Sequence, residues 1–394
     1  MRFCRTRPST CVREFSHQTW QGLTEHVDLV LLVVSLAIIL VAAELFTNGI
    51  EWLGHRLNLA EGAVGSVLAA VATAMPETLI PVIAILGPVI SGTPSETSHA
   101  IGLGAILGAP FMLSTLAMFV TGIAIVIFAR RGRRGTEMRI NVKILGRDVG
   151  FFIVGYGIAI GTAFLPEPLH WVKFVAAAGL IVLYAVYVRA HFRDAAEPGE
   201  ASELNRLHLS RLVPKRNELH IDAFPGDHSL LGAAPSTRLI VGQVVLALAL
   251  IIVGAQVFVG AVEHLSTVIG LDPTILALII APIATELPEK FNSVLWVRNG
   301  KDTLAMGNIT GAMVFQSCVP AVLGMVFTSW TFTGDTALSF ASAGVAIGAT
   351  ILIFGNMLRR GHLSAWTLLI GGPLYLIYIG LALFTPLGAT AVPH

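Results

Sequence analysis

Apolar residues run through this chain in long blocks of about 20 positions, separated mostly by short polar connections. Wound as α-helix, a block of that length matches the hydrocarbon thickness of a bilayer. The pattern predicts ten spanning helices, at about 27–50, 62–86, 100–129, 149–165, 171–190, 238–261, 273–297, 303–328, 337–357 and 364–385. A polar tail, 1–26, precedes them with Arg2, Arg5, Arg7 and Arg13. It lacks the apolar core and small-residue cleavage site of a secretory signal and reads as poorly ordered. A longer polar stretch, 191–237, rich in Pro, Gly and His, falls in the middle. The expected fold class is all-α, a polytopic membrane protein.

Two of the apolar blocks contain near copies of one short segment. Ala72-Thr73-Ala74-Met75-Pro76-Glu77 ends in a glutamate within the second block, and Ala284-Thr285-Glu286-Leu287-Pro288-Glu289 does the same within the seventh. A carboxylate at bilayer depth costs about 2.5–3.5 kcal/mol on insertion scales. A helix-interior proline removes a backbone bond and kinks or breaks the helix. Helices two and seven are therefore expected to break at these segments. The likeness extends further, because Val41–Glu77 aligns without a gap to Val253–Glu289. Along it Ala43 matches Ala255, Phe46 matches Phe258, Glu51 matches Glu263, Leu53 matches Leu265 and Leu59 matches Leu271. This predicts an internal repeat, 27–190 and 238–386, with 191–237 as the linker.

Charge orients the repeat. Arg130, Arg131, Arg133, Arg134, Arg139, Lys143 and Arg147 follow the third block; Arg193, Arg206, Arg211, Lys215 and Arg216 lie in the linker. Arg56, Arg298, Lys301, Arg359 and Arg360 mark the other odd-numbered connections, and the even-numbered ones are nearly free of Lys and Arg. The positive-inside rule then puts odd connections in the cytoplasm and both termini outside. Five spans per half is an odd number, so the second half enters from the opposite side and the repeat is inverted.

Composition agrees. The chain is 394 residues, 55% hydrophobic and 12% charged, with mean hydropathy +0.77. A net charge of +1 gives no case for a nucleic-acid partner. Cys4, Cys11 and Cys318 are too few for a disulfide framework or a zinc site, and Cys318 reads as small-residue packing. No nucleophile–base constellation lies in the spans, so no enzymatic activity and no resident cofactor are expected. The partners expected are inorganic cations and the lipid bilayer. Arginine outnumbers lysine, which points to a GC-rich bacterial source and so to a bacterial inner membrane.

The chemistry follows from the Pro-Glu segments. Broken helices expose backbone carbonyls, which are hard oxygen ligands, and the glutamates add charge. Calcium takes six to eight such oxygens. Glu77 and Glu289, each with a threonine four residues earlier, Thr73 and Thr285, are the expected cation ligands. Glu286 has two open readings: a third site carboxylate, or an ion pair with Lys290 one turn later. Asn292 and Ser293 continue the polar face. Gly104-x-x-x-Gly108 and Gly307-x-x-x-Gly311 predict close helix packing against the broken helices. Gln316 is a candidate to reach the cavity, and Glu44 and Gln256 read as buried polar contacts or, for Glu44, as part of an ion pathway.

These residues resemble the calcium/cation antiporter superfamily, whose membrane unit is the sodium/calcium exchanger membrane region. Its repeats carry Gly-Thr-Ser-Leu-Pro-Glu and then roughly Gly-Asn-x-x-Gly-Ser-Asn-x-x-Asn or Asp. Ala284–Glu289 is similar to the former and Gly307–Gln316 to the latter, with Asn299-Gly300-Lys301-Asp302 before it. Ala42-Ala43-Glu44-Leu45 and Thr73–Glu77 carry the likeness in the first half. The resemblance implies exchange of calcium against sodium or protons by alternating access, with Glu77 and Glu289 as ligands and Thr73 and Thr285 contributing hydroxyl or backbone oxygens. Ala74, Glu286, Ala109 and Ala312 replace motif serines, Leu113 and Gln316 replace an amide or acid, and about nine residues are inserted between Glu77 and Gly108. Those departures thin the sodium ligands and leave room for proton coupling, or for a cation sensor that does not transport.

Overall fold

The computed structural model describes residues 8–56, 74–92, 96–194, 206–211, 235–269 and 273–384, while the side chains of 75–76, 284–285 and 287–292, among others, fall outside the description. The described residues are almost wholly helical. The long helices are α1 (Pro8–Arg56), α2 (Met75–Ser91), α3 (Glu96–Met112), α4 (Met118–Arg130), α5 (Val142–Thr162) and α6 (Val172–Asp194) in the first half. The second half holds α7 (Thr237–Ile269), α8 (Pro273–Arg298), α9 (Asp302–Phe327), α10 (Ala337–Arg360), α11 (Ala365–Leu368) and α12 (Gly371–Phe384). A π-helical turn, Leu113–Ala117, joins α3 to α4, so the two form one span. Pro110 sits just before it, and Thr115 Oγ1 donates to the Phe111 carbonyl at 2.5 Å, occupying an acceptor beside the irregular turn.

Eight of the described helices are long and apolar enough to cross a membrane. Glu77–Ser91 and Pro273–Ile283 are shorter apolar helices, and they fall in the second and seventh of the ten predicted blocks. The helix in the second block starts at Met75, and the one in the seventh continues as a helix to Arg298.

Three expectations are corrected here. Helix seven does not break at its Pro-Glu segment: α8 is continuous from Pro273 to Arg298. A proline inside a membrane helix frees one carbonyl, and neighbouring groups can satisfy it while the helix continues. In the first copy α2 starts at Met75, inside the second predicted block, and places Pro76 in its first turn, where no N–H is missed; residues 57–73 before it lie outside the described residues. The tail is not wholly irregular either, since α1 reaches back to Pro8. The fourth span also starts earlier than expected. Asn141 Oδ1 accepts from the Lys143 and Ile144 amides and caps α5, which draws Lys143, Arg147 and Asp148 into the helix.

Helix directions are fixed by close approaches. Gly49 lies against Val244 and Gly254 against Ile39, so α1 and α7 pack antiparallel. Gly104 lies against Thr274 and Gly108 against Leu278, so α3 and α8 pack parallel. The connections gather by parity. A two-stranded sheet pairs β1 (Glu137–Met138) with β2 (Leu363–Ser364), joining the third connection to the ninth. Arg134 reaches the seventh through Asp302 at 2.6 and 2.8 Å and the Val297 carbonyl at 2.7 Å. Arg56 Nε donates to Thr237 Oγ1, joining the first to the fifth. On the even side Phe332 N donates to the Ala163 carbonyl at 2.8 Å, and Ser98 Oγ donates to Glu263.

Candidate cation site

Glu77 is placed by the start of α2. The helix begins at a buried residue, Ala74, with no side-chain cap, so its first-turn amides are compensated by an acid in that turn. The positive end of a helix favours a carboxylate there. Glu77 is only 5% exposed. It lines a crevice with Ile80 from the same helix, Ala105 and Ala109 from α3, and Ala281 and Pro282 from α8. The gap between these atoms is too narrow to admit a water-sized sphere.

The crevice exists because α3 is smooth. A Cβ at Gly104 would collide with the Thr274 carbonyl, and one at Gly108 with the Leu278 carbonyl. Glycine at both positions lets the α3 and α8 backbones touch, as the spacing predicts. Ala105 and Ala109 on the same stripe then present methyl groups beside Glu77. Among the described residues a side chain at Gly307 would meet nothing within 4 Å, and one at Gly311 would meet the Tyr187 hydroxyl at 3.4 Å. The segment that the repeat aligns with Thr274–Leu278, residues 62–66, lies outside the described residues.

The other candidate residues fall out unevenly. Glu286 is 2% exposed on α8, one turn beyond Pro282. Gln316 is buried on α9, and its Oε1 has no hydrogen-bond partner among the described residues. Thr73 lies outside the described residues, as do the side chains of Thr285, Glu289, Lys290 and Asn292. Ser293 is fully buried and donates to the Ala305 carbonyl at 3.3 Å, so it ties α8 to α9. Among the described residues no three His, Cys, Asp or Glu side chains converge as a metal site.

Glu44 and Gln256 are exposed, which corrects their reading as buried contacts. Glu44 lies on the outer face of α1 and meets His208 of the linker at 3.2 Å. The same linker segment is anchored by Asn48 and Gln243, whose side-chain oxygens accept from the His208 and Leu209 amides at 3.0 and 2.7 Å. Cys318 is buried with its Sγ 3.2 Å from where a Gly155 side chain would begin, in keeping with a packing role.

Two features were missed from sequence. Ala281 and Pro282, one turn before the repeated segment, line the crevice; the helical period counted back from Glu286 and Glu289 points to them. Asp148 is 1% exposed, yet it sits after a run of basic residues and reads as part of a polar connection. The signal available was an acid at the head of an apolar block.

Comparison with known proteins places this geometry. The family described as sodium/calcium exchanger protein matches residues 27–192 and 239–384. The Putative antiporter CaxA of Alkalimonas amylolytica is 31% identical over 136 residues, 34% of this chain and 42% of that protein. Cation/calcium exchanger 2 of Arabidopsis thaliana is 25% identical over 200 residues, 48% of this chain and 33% of that protein. The matched region thus spans less than half the length of either relative. The crystal structure of the H+/Ca2+ exchanger CAX superimposes with a TM-score of 0.65 over 91% of this chain and 82% of that one, at 14% identity. The sodium-calcium exchanger NCX_Mj superimposes with a TM-score of 0.54 over 90% and 99%, also at 14% identity. At that identity the likeness establishes the fold.

Proposed function

The chain belongs to the sodium/calcium exchanger protein family, and on that premise we propose that it is a secondary antiporter moving a divalent cation, calcium first, against protons or sodium. The observation that carries this reading is Glu77, an acid buried where three helices meet, surrounded by small apolar side chains. An intramembrane carboxylate facing the bundle interior is the usual mark of an ion pathway. Glu289, Thr73 and Thr285 complete the proposed ligand set by their place in the repeated segment, and Glu286 and Gln316 add oxygens from α8 and α9.

Ten spans in two inverted five-helix repeats fit the helix directions. The first helices of the two copies, α1 and α7, run antiparallel, as oppositely inserted copies must. Contacts among the connections join odd to odd and even to even, which supports odd connections sharing one side of the membrane; the positive-inside rule makes that side cytoplasmic in our reading. Protons are the favoured counter-ion, because Ala74, Ala109 and Ala312 stand where the family's motif serines would supply sodium ligands, while the buried acids remain. Buried acids can carry protons instead.

Reconstituted vesicles test the proposal. Calcium uptake driven by an imposed proton gradient is the expected result, with Glu77→Gln and Glu289→Gln abolishing it while folded protein remains. Near-normal flux in either variant overturns the ligand assignment. A second reading, a cation sensor without transport, is favoured by the docking of linker residues 206–211 onto α1 and α7. Calcium binding with no flux under either gradient selects it.

A further inference from the structure

Between α5, α6 and α9 lies a buried acid that the crevice does not use. Asp148 is in the second turn of α5 and is 1% exposed. Thr310 on α9 places its Oγ1 2.8 Å from Asp148 Oδ2 and 3.1 Å from the Met306 carbonyl oxygen. A hydroxyl has one hydrogen to donate, so it serves both acceptors only by sharing it in a weaker three-centre bond. With an ionised Asp148, the two short contacts divide one hydrogen. With a proton on Oδ2 the chain closes: Asp148 donates to Thr310, and Thr310 donates to Met306. The other carboxyl oxygen, Oδ1, makes no hydrogen bond with a described residue. That costs little for the carbonyl of a neutral acid and a great deal for half of a buried carboxylate.

The charged neighbour is turned away. Arg147 sets Nη2 2.9 Å from His191 Nδ1 and Nη1 3.4 Å from the Ala190 carbonyl, both at the end of α6. Tyr187 of α6 brings its hydroxyl beside the carboxyl and over Gly311, whose missing side chain gives it room. From α10 the contact on this part of α5 is apolar, Leu358 on Gly146. Among the described residues Thr310, Tyr187, Arg147 and, through Arg147, His191 are polar groups around the acid.

We propose that Asp148 is a proton-binding site, separate from the crevice at Glu77, whose bound proton ties α5 to α9 through Thr310. One carboxyl and two hydroxyls offer too few oxygens for a divalent cation, so the ligand is the proton. Release of that proton leaves a charge next to Arg147. The guanidinium then has a stronger partner in Asp148 than in His191 and Ala190, and the end of α6 loses its tie. The assignment stands whatever ion the protein carries across the membrane.

Infrared difference spectroscopy on the reconstituted full chain tests it. Subtracting Asp148→Asn from the native protein at neutral pH is expected to leave one deuterium-sensitive carboxylic-acid carbonyl band, of single-group amplitude, that vanishes as pH is raised. An ionised-carboxylate band in its place overturns the proposal. Thr310→Val gives an independent measure if the asparagine variant fails to fold. Removing the acceptor is expected to shift the acid band to higher frequency, and an unshifted band overturns the proposal equally.

Discussion

A single missing methyl group decides whether helices meet. At Gly108 an added Cβ would strike the Leu278 carbonyl, whereas at Gly307 it would meet nothing within 4 Å. Gly108→Ala is therefore expected to lower stability by about 1–3 kcal/mol through overpacking, and Gly307→Ala to leave it unchanged or slightly higher. Thermal unfolding of the two purified variants checks this, and equal effects would show that the close α3–α8 approach is not structural. The residue scale was also where sequence was most legible. Glu77 is identifiable from a proline and an acid in an apolar block, and its burial agrees. Glu44 was not legible, because an acid in an apolar block reads the same on the outer face of a helix as inside the bundle. Its exposure and its contact with His208 distinguish them.

Elements are joined by a few polar ties at their ends. Arg134 holds the buried Asp302 carboxylate with two nitrogens and also takes the Val297 carbonyl, so one guanidinium closes the end of α8 and the start of α9. Arg134→Ala leaves that acid buried without its partner, a loss of about 3–5 kcal/mol. Asp302→Asn, which keeps shape and removes charge, is expected to lose less, and unfolding midpoints in one detergent compare the two. At the same scale α8 runs straight through Pro288. Pro288→Ala restores a backbone bond, so folded protein is expected to persist with a slower exchange rate in vesicles. A rate equal to the native one would mean that the proline has no part in helix movement. The sequence rule that proline breaks helices misled here because, in a membrane, abandoning the helix costs more than one unpaired carbonyl.

At the scale of the whole molecule the prediction concerns sidedness. With Cys4 and Cys11 replaced by serine and Cys318 buried, Gly132→Cys is expected to react only with thiol reagents on the cytoplasmic side. Gly334→Cys is expected to react only from outside, and labelling of both from one side would refute the topology. The apolar blocks were readable in the chain, and eight of the described helices are long and apolar enough to cross a membrane, because bilayer thickness acts on each segment separately. The ungapped likeness of Val41–Glu77 to Val253–Glu289 was readable too, since it is a property of sequence alone. What only the tertiary structure decided is who touches whom: that the glycines of α3 serve α8, that Ala281 and Pro282 face Glu77, and that Thr310 finds Asp148. Those facts depend on the rotation of each helix about its own axis. In lipid, hydropathy does not fix that rotation, because an apolar face is equally at home against hydrocarbon or against another helix.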